Sequence, residues 1–408
     1  MVFTLGGKAY AASLFELTVT SEGETYSQGF SSVADLLDNF SVDRIQDHIQ
    51  NYTDQSLVEA ELDFRGLPIR VFIEGGVNSA VHLVIPSIGV DRWFIESTRQ
   101  ASIDALVDWF EGKGDEALAD MARYLAAETP TDPVAGNPAS LLGVTTASDF
   151  ATGFMDQVSA FETGLELSTL APGEQSATAN LIALQTSIGR VRMGEFNGTY
   201  YRLPLSYTFR ANSDARRRIK ISVPVGVLIV DGARSYTGGL GLAVSLPVNK
   251  VWVLTPAASY AAAGSQDFAS AAHLFSASLT SALSLPAGPL TLNIGNMVGY
   301  YQTLPFHYKE VQYDPRLRNW AVRNGVMVGF PLGKTLSGEV FATDTRYFGT
   351  DLFVDQSNEV GFSLGFRKTA DKKKGNKVIH TLQSLRVGST FVFGRDYRSW
   401  EFNAGYTF

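Results

Sequence analysis

A metal or acid–base centre in this chain would have to begin with its five histidines, His48, His82, His273, His307 and His380. No two of them stand at the i, i+4 or HExxH spacing that gathers imidazoles around zinc on one helix face. The chain has no cysteine, which excludes a thiolate site, a cysteine nucleophile and a disulfide framework. Neither a G-x-S-x-G elbow nor a phosphate-cradling glycine loop occurs. His273 has Ser270, Ser276 and Ser278 nearby on one alternating segment, but a nucleophile needs a base held by a third group, and no third group stands out. The expectation is therefore no catalytic residue, no metal site and no cofactor.

The cations fit a different chemistry. Arg190, Arg192, Arg202, Lys220, Arg323, Arg367 and Arg386 fall on the polar side of alternating segments, with Glu195, Glu339 and Glu401 as acids that share it. Around a lumen, rings of cationic side chains set anion preference in a pore. The same cations could instead pair with acids inside a plugged lumen, or with acids of the N-terminal region. Arg216-Arg217-Arg218 and Lys372-Lys373-Lys374 read as solvated turns. Without interleaved aromatics neither is a nucleic-acid site, and no nucleic-acid partner is expected.

Those cations need strands to position them. From Gln185 onward, period-two alternation predicts segments near 186–196, 199–210, 217–230, 236–248, 250–262, 268–284, 289–303, 319–331, 335–347, 359–368, 385–394 and 397–408. One face is apolar, as in Ile219/Ile221/Val223/Val225, Leu240/Leu242/Val244/Leu246 and Val360/Phe362/Leu364/Phe366. The other carries polar residues and glycines such as Gly239, Gly241, Gly325, Gly361 and Gly365, which leave room for water or an inserted segment. Aromatics gather near segment ends (Tyr200, Tyr201, Trp252, Tyr260, Tyr300, Trp320, Phe348) as interfacial girdles require. Tight connections at 248–250, 286–288 and 332–334 alternate with longer ones. No run approaches the roughly 20 apolar residues of a spanning helix.

The final segment carries the most specific motif. Trp400, Phe402, Ala404, Tyr406 and Phe408 occupy alternate positions and the sequence stops on the last of them. This resembles the closing strand of bacterial outer-membrane β-barrels, whose terminal aromatic is read by the assembly machinery. The resemblance implies an all-β transmembrane barrel of about 12 antiparallel strands in the outer membrane of a Gram-negative bacterium. Outer-membrane lipid and the barrel assembly machinery would be its partners, Trp400, Phe402, Tyr406 and Phe408 its assembly signal. A homo-oligomer is compatible with it.

The preceding region reads as an acidic α+β domain over residues 1–140. Residues 1–183 hold 27 Asp and Glu against 8 Lys and Arg, and residues 184–408 hold 14 against 25, an asymmetry that favours mutual attraction. Phe15/Leu17/Val19 and Val58/Ala60/Leu62/Phe64 alternate as strands, apolar runs follow at 69–73, 81–85 and 93–95, and Ser97 with Gln100 opens a helix. A second helix spans about 115–128. Ala9-Tyr10-Ala11 has the form of a signal-cleavage site. Pro130, Pro133, Gly136 and Pro138 mark a linker, and residues 141–184 carry a helix, capped by Ser148, with Phe150, Phe154, Val158 and Phe161 on one stripe. Its acids Asp149, Asp156, Glu162 and Glu166 could meet the barrel's arginines. The barrel occupies residues 185–408. The order of N-terminal module, linker helix and twelve-stranded barrel resembles autotransporters. Two functions follow: a transport or secretion pore gated or plugged by the acidic region, or an autotransporter-like anchor holding a small domain at the cell surface.

Overall fold

A computed structural model describes residues 13–53, 55–76, 80–110, 116–158, 181–211, 214–308, 311–333, 335–366 and 385–407. The N-terminal module is a six-stranded antiparallel sheet in the order β2-β1-β3-β4-β5-β6, formed by β1 (Phe15–Ser21), β2 (Glu24–Phe30), β3 (Val58–Phe64), β4 (Leu67–Ile73), β5 (Val81–Ile85) and β6 (Val90–Phe94). Phe15, Leu17 and Val19 are buried while Glu16 is exposed, so one sheet face is core and the other water. Four helices, α1 (Val33–Asn39), α2 (Val42–His48), α3 (Arg99–Asp108) and α4 (Glu116–Glu128), add Leu36, Ile45, Ile103, Leu106 and Leu125 to that core. Thr98, not Ser97, caps α3, accepting from the Ala101 N–H. β2, α1 and α2 escaped the sequence pattern because β2 is a polar edge strand with no apolar alternation and the two helices have only seven residues each.

The C-terminal region is a closed antiparallel barrel of twelve strands. β7 (Leu181–Met193) starts it. The second strand is split into β8 (Phe196–Arg202) and β9 (Leu205–Ala211), the third into β10 (Asp214–Val223) and β11 (Val225–Val230). Pro204 and Pro224 sit at the two splits, where a missing N–H interrupts the ladder. Then follow β12 (Ala233–Pro247), β13 (Trp252–Ser265), β14 (Ser270–Ala287) and β15 (Leu290–Leu304). A small hairpin of β16 (Phe306–Tyr308) and β17 (Val311–Tyr313) leads to β18 (Arg318–Leu332), β19 (Leu336–Gly349), β20 (Gln356–Phe366), β21 (Leu385–Gly394) and β22 (Tyr397–Thr407). Pairing of β22 with β7, from Tyr397 opposite Met193 to Thr407 opposite Ala183, closes the ring.

The barrel is inverted relative to the module. Ile219, Ile221, Leu240, Leu242, Val326, Val360, Phe362 and Phe402 are exposed on its outer wall, and the inner face carries Thr, Ser, Asn, Gly and charged residues. In water such a belt would far exceed the apolar patches that soluble proteins tolerate. Hydrocarbon accepts it, since a closed barrel leaves no backbone group unsatisfied. The barrel is therefore built to cross an outer membrane. Trp320 lies beside Tyr300, ring centroids 5.1 Å apart, and opposite Phe348, within a girdle at one end of the belt.

Candidate functional site: a helix inside the barrel

The module sits on the barrel end away from the start of β7 and the finish of β22. It covers the hairpin tips there: Phe268, Phe353, Val354 and Tyr397 share one core with the module's Phe15, Phe64 and Leu125, and the Val33 N–H donates to the Asp267 carbonyl at 3.0 Å. The proline- and glycine-rich segment 129–140 is buried almost throughout rather than forming an exposed linker. Asp132 organises it, accepting from the N–H groups of Val134 and Ala135 at 2.9 and 2.8 Å and pairing with Arg65 at 3.5 Å.

From this strap α5 (Leu141–Gly153) descends into the lumen. It begins eight residues earlier than a helix capped by Ser148 would, because Ser140 is the cap, its side chain accepting from the Gly143 N–H. A further helical turn reaches Val158. Phe161, Glu162 and Glu166 lie outside the described residues. Leu141 and Leu142 pack near the module end with Ala263, Ala272 and Leu317, while Phe150, Phe154 and Val158 pack deeper with Ala282, Met297 and Met327.

The wall is shaped to that helix. Gly295 and Gly325 are directly opposite on β15 and β18. A Cβ on Gly295 would lie 2.5 Å from the Phe154 ring, and one on Gly325 2.8 Å from Phe150. The helix in turn approaches β14 at Gly153, where a Cβ would stand 2.3 Å from Thr280. Small inward residues thus leave a slot that two phenylalanines fill.

Polar contacts then fix the depth. Asp149 accepts from Ser259 at 2.7 Å and from Ser276 and Tyr301 at 3.0 Å each. These three hydroxyls, on β13, β14 and β15, satisfy a carboxylate only 5% exposed. Asp156 pairs with Lys220, and the Gln157 amide donates to Ser245. The hydroxyl set was invisible in sequence, since serine at an inward position reads the same whether it faces water or a carboxylate.

Three of the seven expected lumen cations pair within the wall. Arg323 meets Glu359 at 2.6 Å and its guanidinium lies 5.1 Å from the centroid of the Phe150 ring. Arg386 meets Glu339 at 2.9 Å, and Arg202 meets Glu401 at 3.2 Å. Each arm reaches over an intervening strand. Tyr200 likewise reaches Glu401 across Gly189, where a Cβ would be 2.2 Å from the tyrosine ring. Arg190 and Arg192 must be corrected: both are exposed on the outer wall, while Gly189, Val191 and Met193 face inward. The sequence phase of the first strand was displaced by one residue, which exchanges its two faces. Glu195 is exposed in the turn beyond. Arg218 is also corrected, from solvated turn to buried lumen residue. Beside it on β9 stands Arg210, and among the described residues Arg210 Nε and one Arg218 terminal nitrogen have no hydrogen-bond partner. Arg367, Lys372-Lys373-Lys374, His380 and Phe408 lie outside the described residues, and Tyr406 takes its place in β22 opposite Leu385. Trp400 and Phe402 point outward, 49% and 65% exposed.

His273 and the serines near it do not form a centre. His273 faces outward beside Tyr260, whereas Ser270, Ser276 and Ser278 are on the buried, inward side of β14. His82 stacks on Trp93 and bonds Asp91 at 2.7 Å on the module sheet. Among the described residues no three potential metal ligands cluster.

The fold and lumen define an outer-membrane β-barrel filled by its own chain. Neither a protein-family profile nor a curated protein sequence matches the chain. Among solved structures, the translocator domain of autotransporter NalP from Neisseria meningitidis is 11% identical, with a TM-score of 0.41, over 65% of this chain and 97% of that one. The transport unit of the autotransporter AIDA-I from Escherichia coli is 11% identical, with a TM-score of 0.34, over 62% and 99%. The KdgM porin is 9% identical, with a TM-score of 0.32, over 55% and 99%. These are similarities of barrel fold.

Proposed function

We propose that the barrel is an autotransporter-like anchor that holds the acidic α+β module at the cell surface, with the connecting chain running back through the lumen as a plug. The observation that carries this is the path of α5. It leaves the module at one barrel mouth and runs toward the other, where β7 begins and β22 ends. In single-chain outer-membrane barrels with an even strand number the two terminal strand ends share one side. With that side periplasmic, the module is outside. Its polar sheet face, with Glu16, Thr18, Glu59, Glu61 and Asp63, is free for solvent or a partner.

Protease treatment of intact cells tests the proposal. Cleavage within residues 1–140, leaving the barrel in the membrane, is the expected result. Protection that persists until the outer membrane is opened would place the module in the periplasm and overturn it.

A second function, a pore closed by its own helix, is favoured by Arg210 and Arg218. With the plug withdrawn, these inward guanidinium groups and Lys220 would line an open passage and favour anions. Planar-bilayer recording of the intact chain and of a form lacking residues 1–166 separates a permanent plug from a gate. Spontaneous openings of the intact chain support gating, whereas silence until the plug is removed supports permanent anchoring.

A further inference from the structure

A cavity lies outside the lumen, between the module and the outer wall of the barrel. It measures about 890 Å³, within the roughly 300–1,000 Å³ of ligand sites. The module supplies an apolar roof that includes Leu36, Leu62, Phe64, Met121 and Leu125. The floor is the rim of β12–β14, where Tyr236, Gly264 and Ala271 form one row across the strands. Tyr236 is 55% exposed, which puts this row on the lipid-facing side. The row lies four residues nearer the hairpin tips than Leu240, Tyr260 and Phe275, where the aromatic girdle begins. The cavity therefore stands at headgroup level, directly above the hydrocarbon.

Its charged groups are few and unevenly engaged. Arg65 is held by Asp132 and lies over the Phe64 and Phe268 rings. Asp267 accepts from the Arg234 backbone N–H at 2.8 Å. The Arg234 guanidinium, also in the lining, has no hydrogen-bond or ion-pair partner among the described residues. An apolar hollow with one free guanidinium matches an anionic amphiphile, and water fills apolar space poorly. Guanidinium is also the side chain best suited to a phosphate.

We propose that this cavity takes an acyl chain of a phosphate-bearing membrane lipid, with the phosphate on Arg234. Its being the acylated glycolipid of the outer leaflet rests on the surface placement proposed above; the site itself does not.

Photo-crosslinking in intact cells tests both parts. The full chain carries p-benzoylphenylalanine in place of Leu118, a lining residue of α4, or in place of Leu57, which is exposed on the module. The Leu118 probe is expected to capture a phosphate-bearing lipid that the Leu57 probe does not. Arg234→Glu should lower the yield about tenfold, as for loss of one charge-assisted contact, and Arg234→Lys should retain most of it. Heat-modifiable migration confirms that each barrel is closed. A glycolipid adduct supports site and placement together. A glycerophospholipid adduct supports the site and overturns the placement. No lipid adduct, a crosslink to the chain's own residues only, or a yield indifferent to Arg234→Glu in a closed barrel overturns the proposed site.

Discussion

The module's sheet and the barrel wall use the same local pattern with opposite meaning. In β3 the alternating Val58, Ala60, Leu62 and Phe64 are buried beneath helices. In β12 the alternating Leu240, Leu242 and Leu246 are about half exposed, facing lipid, while the intervening positions face the lumen. Period two specifies a two-faced ribbon. What lies against each face decides which one is core. In the barrel the inner face became a second, polar core only because the chain returned a helix to it.

The sharpest way to break that comparison is to take the helix away. Deleting residues 1–166 should turn a closed lumen into a conducting one, with selectivity shifted towards anions by Arg210, Arg218 and Lys220. Single-channel recordings with and without the segment would refute occupancy of the lumen if conductance and selectivity were equal.

Next in size is the cost of leaving a charge alone in either core. Arg65→Ala at the module junction should destabilise by about 3–5 kcal/mol, because Asp132 would stay buried without its cation, and Arg323→Ala in the barrel by somewhat less, because Glu359 is only partly buried. Thermal unfolding, followed by heat-modifiable migration for the barrel and by circular dichroism for the module, measures both. Losses below about 1 kcal/mol would show that these pairs behave as surface pairs.

The same leucine change in the two regions then measures the inversion itself. Leu17→Ala, fully buried in the module, should cost about 2–5 kcal/mol from lost transfer energy plus a cavity. Leu242→Ala should cost less, because lipid closes over the site and no cavity remains. Leu242→Arg, one step in from the girdle, should restore a penalty that lies below the roughly 2–4 kcal/mol of mid-membrane depth and above the roughly 0–1 kcal/mol of the interface. Equal costs for the two alanine variants in denaturant titrations would mean that the outer wall is packed against protein. The smallest effect on fold energy is expected at Phe408. Changing it to Ser should lower the yield of inserted barrel through impaired assembly and leave the module folded, as pulse-labelled membrane fractions and circular dichroism of the module would show.

Much of this architecture was legible residue by residue. The alternations placed all twelve barrel strands, the inward glycines at Gly325 and Gly365 announced small-residue faces, and Phe150, Phe154 and Val158 were recognisable as one stripe. These features depend on neighbours within a few residues, where strand and helix geometry impose their periods. Face, phase and partner were another matter. Arg190 and Arg192 went to the wrong side because a slip of one residue is invisible inside one strand, and only pairing with β8 and β22 sets it. Ser140 rather than Ser148 starts α5 because the strap before it is buried in the barrel mouth, which local capping signals do not encode. Arg202 meets Glu401 across 199 residues of sequence, and Asp149 finds Ser259, Ser276 and Tyr301 on three separate strands. Such meetings depend on barrel closure and helix depth, and only the tertiary structure could decide them.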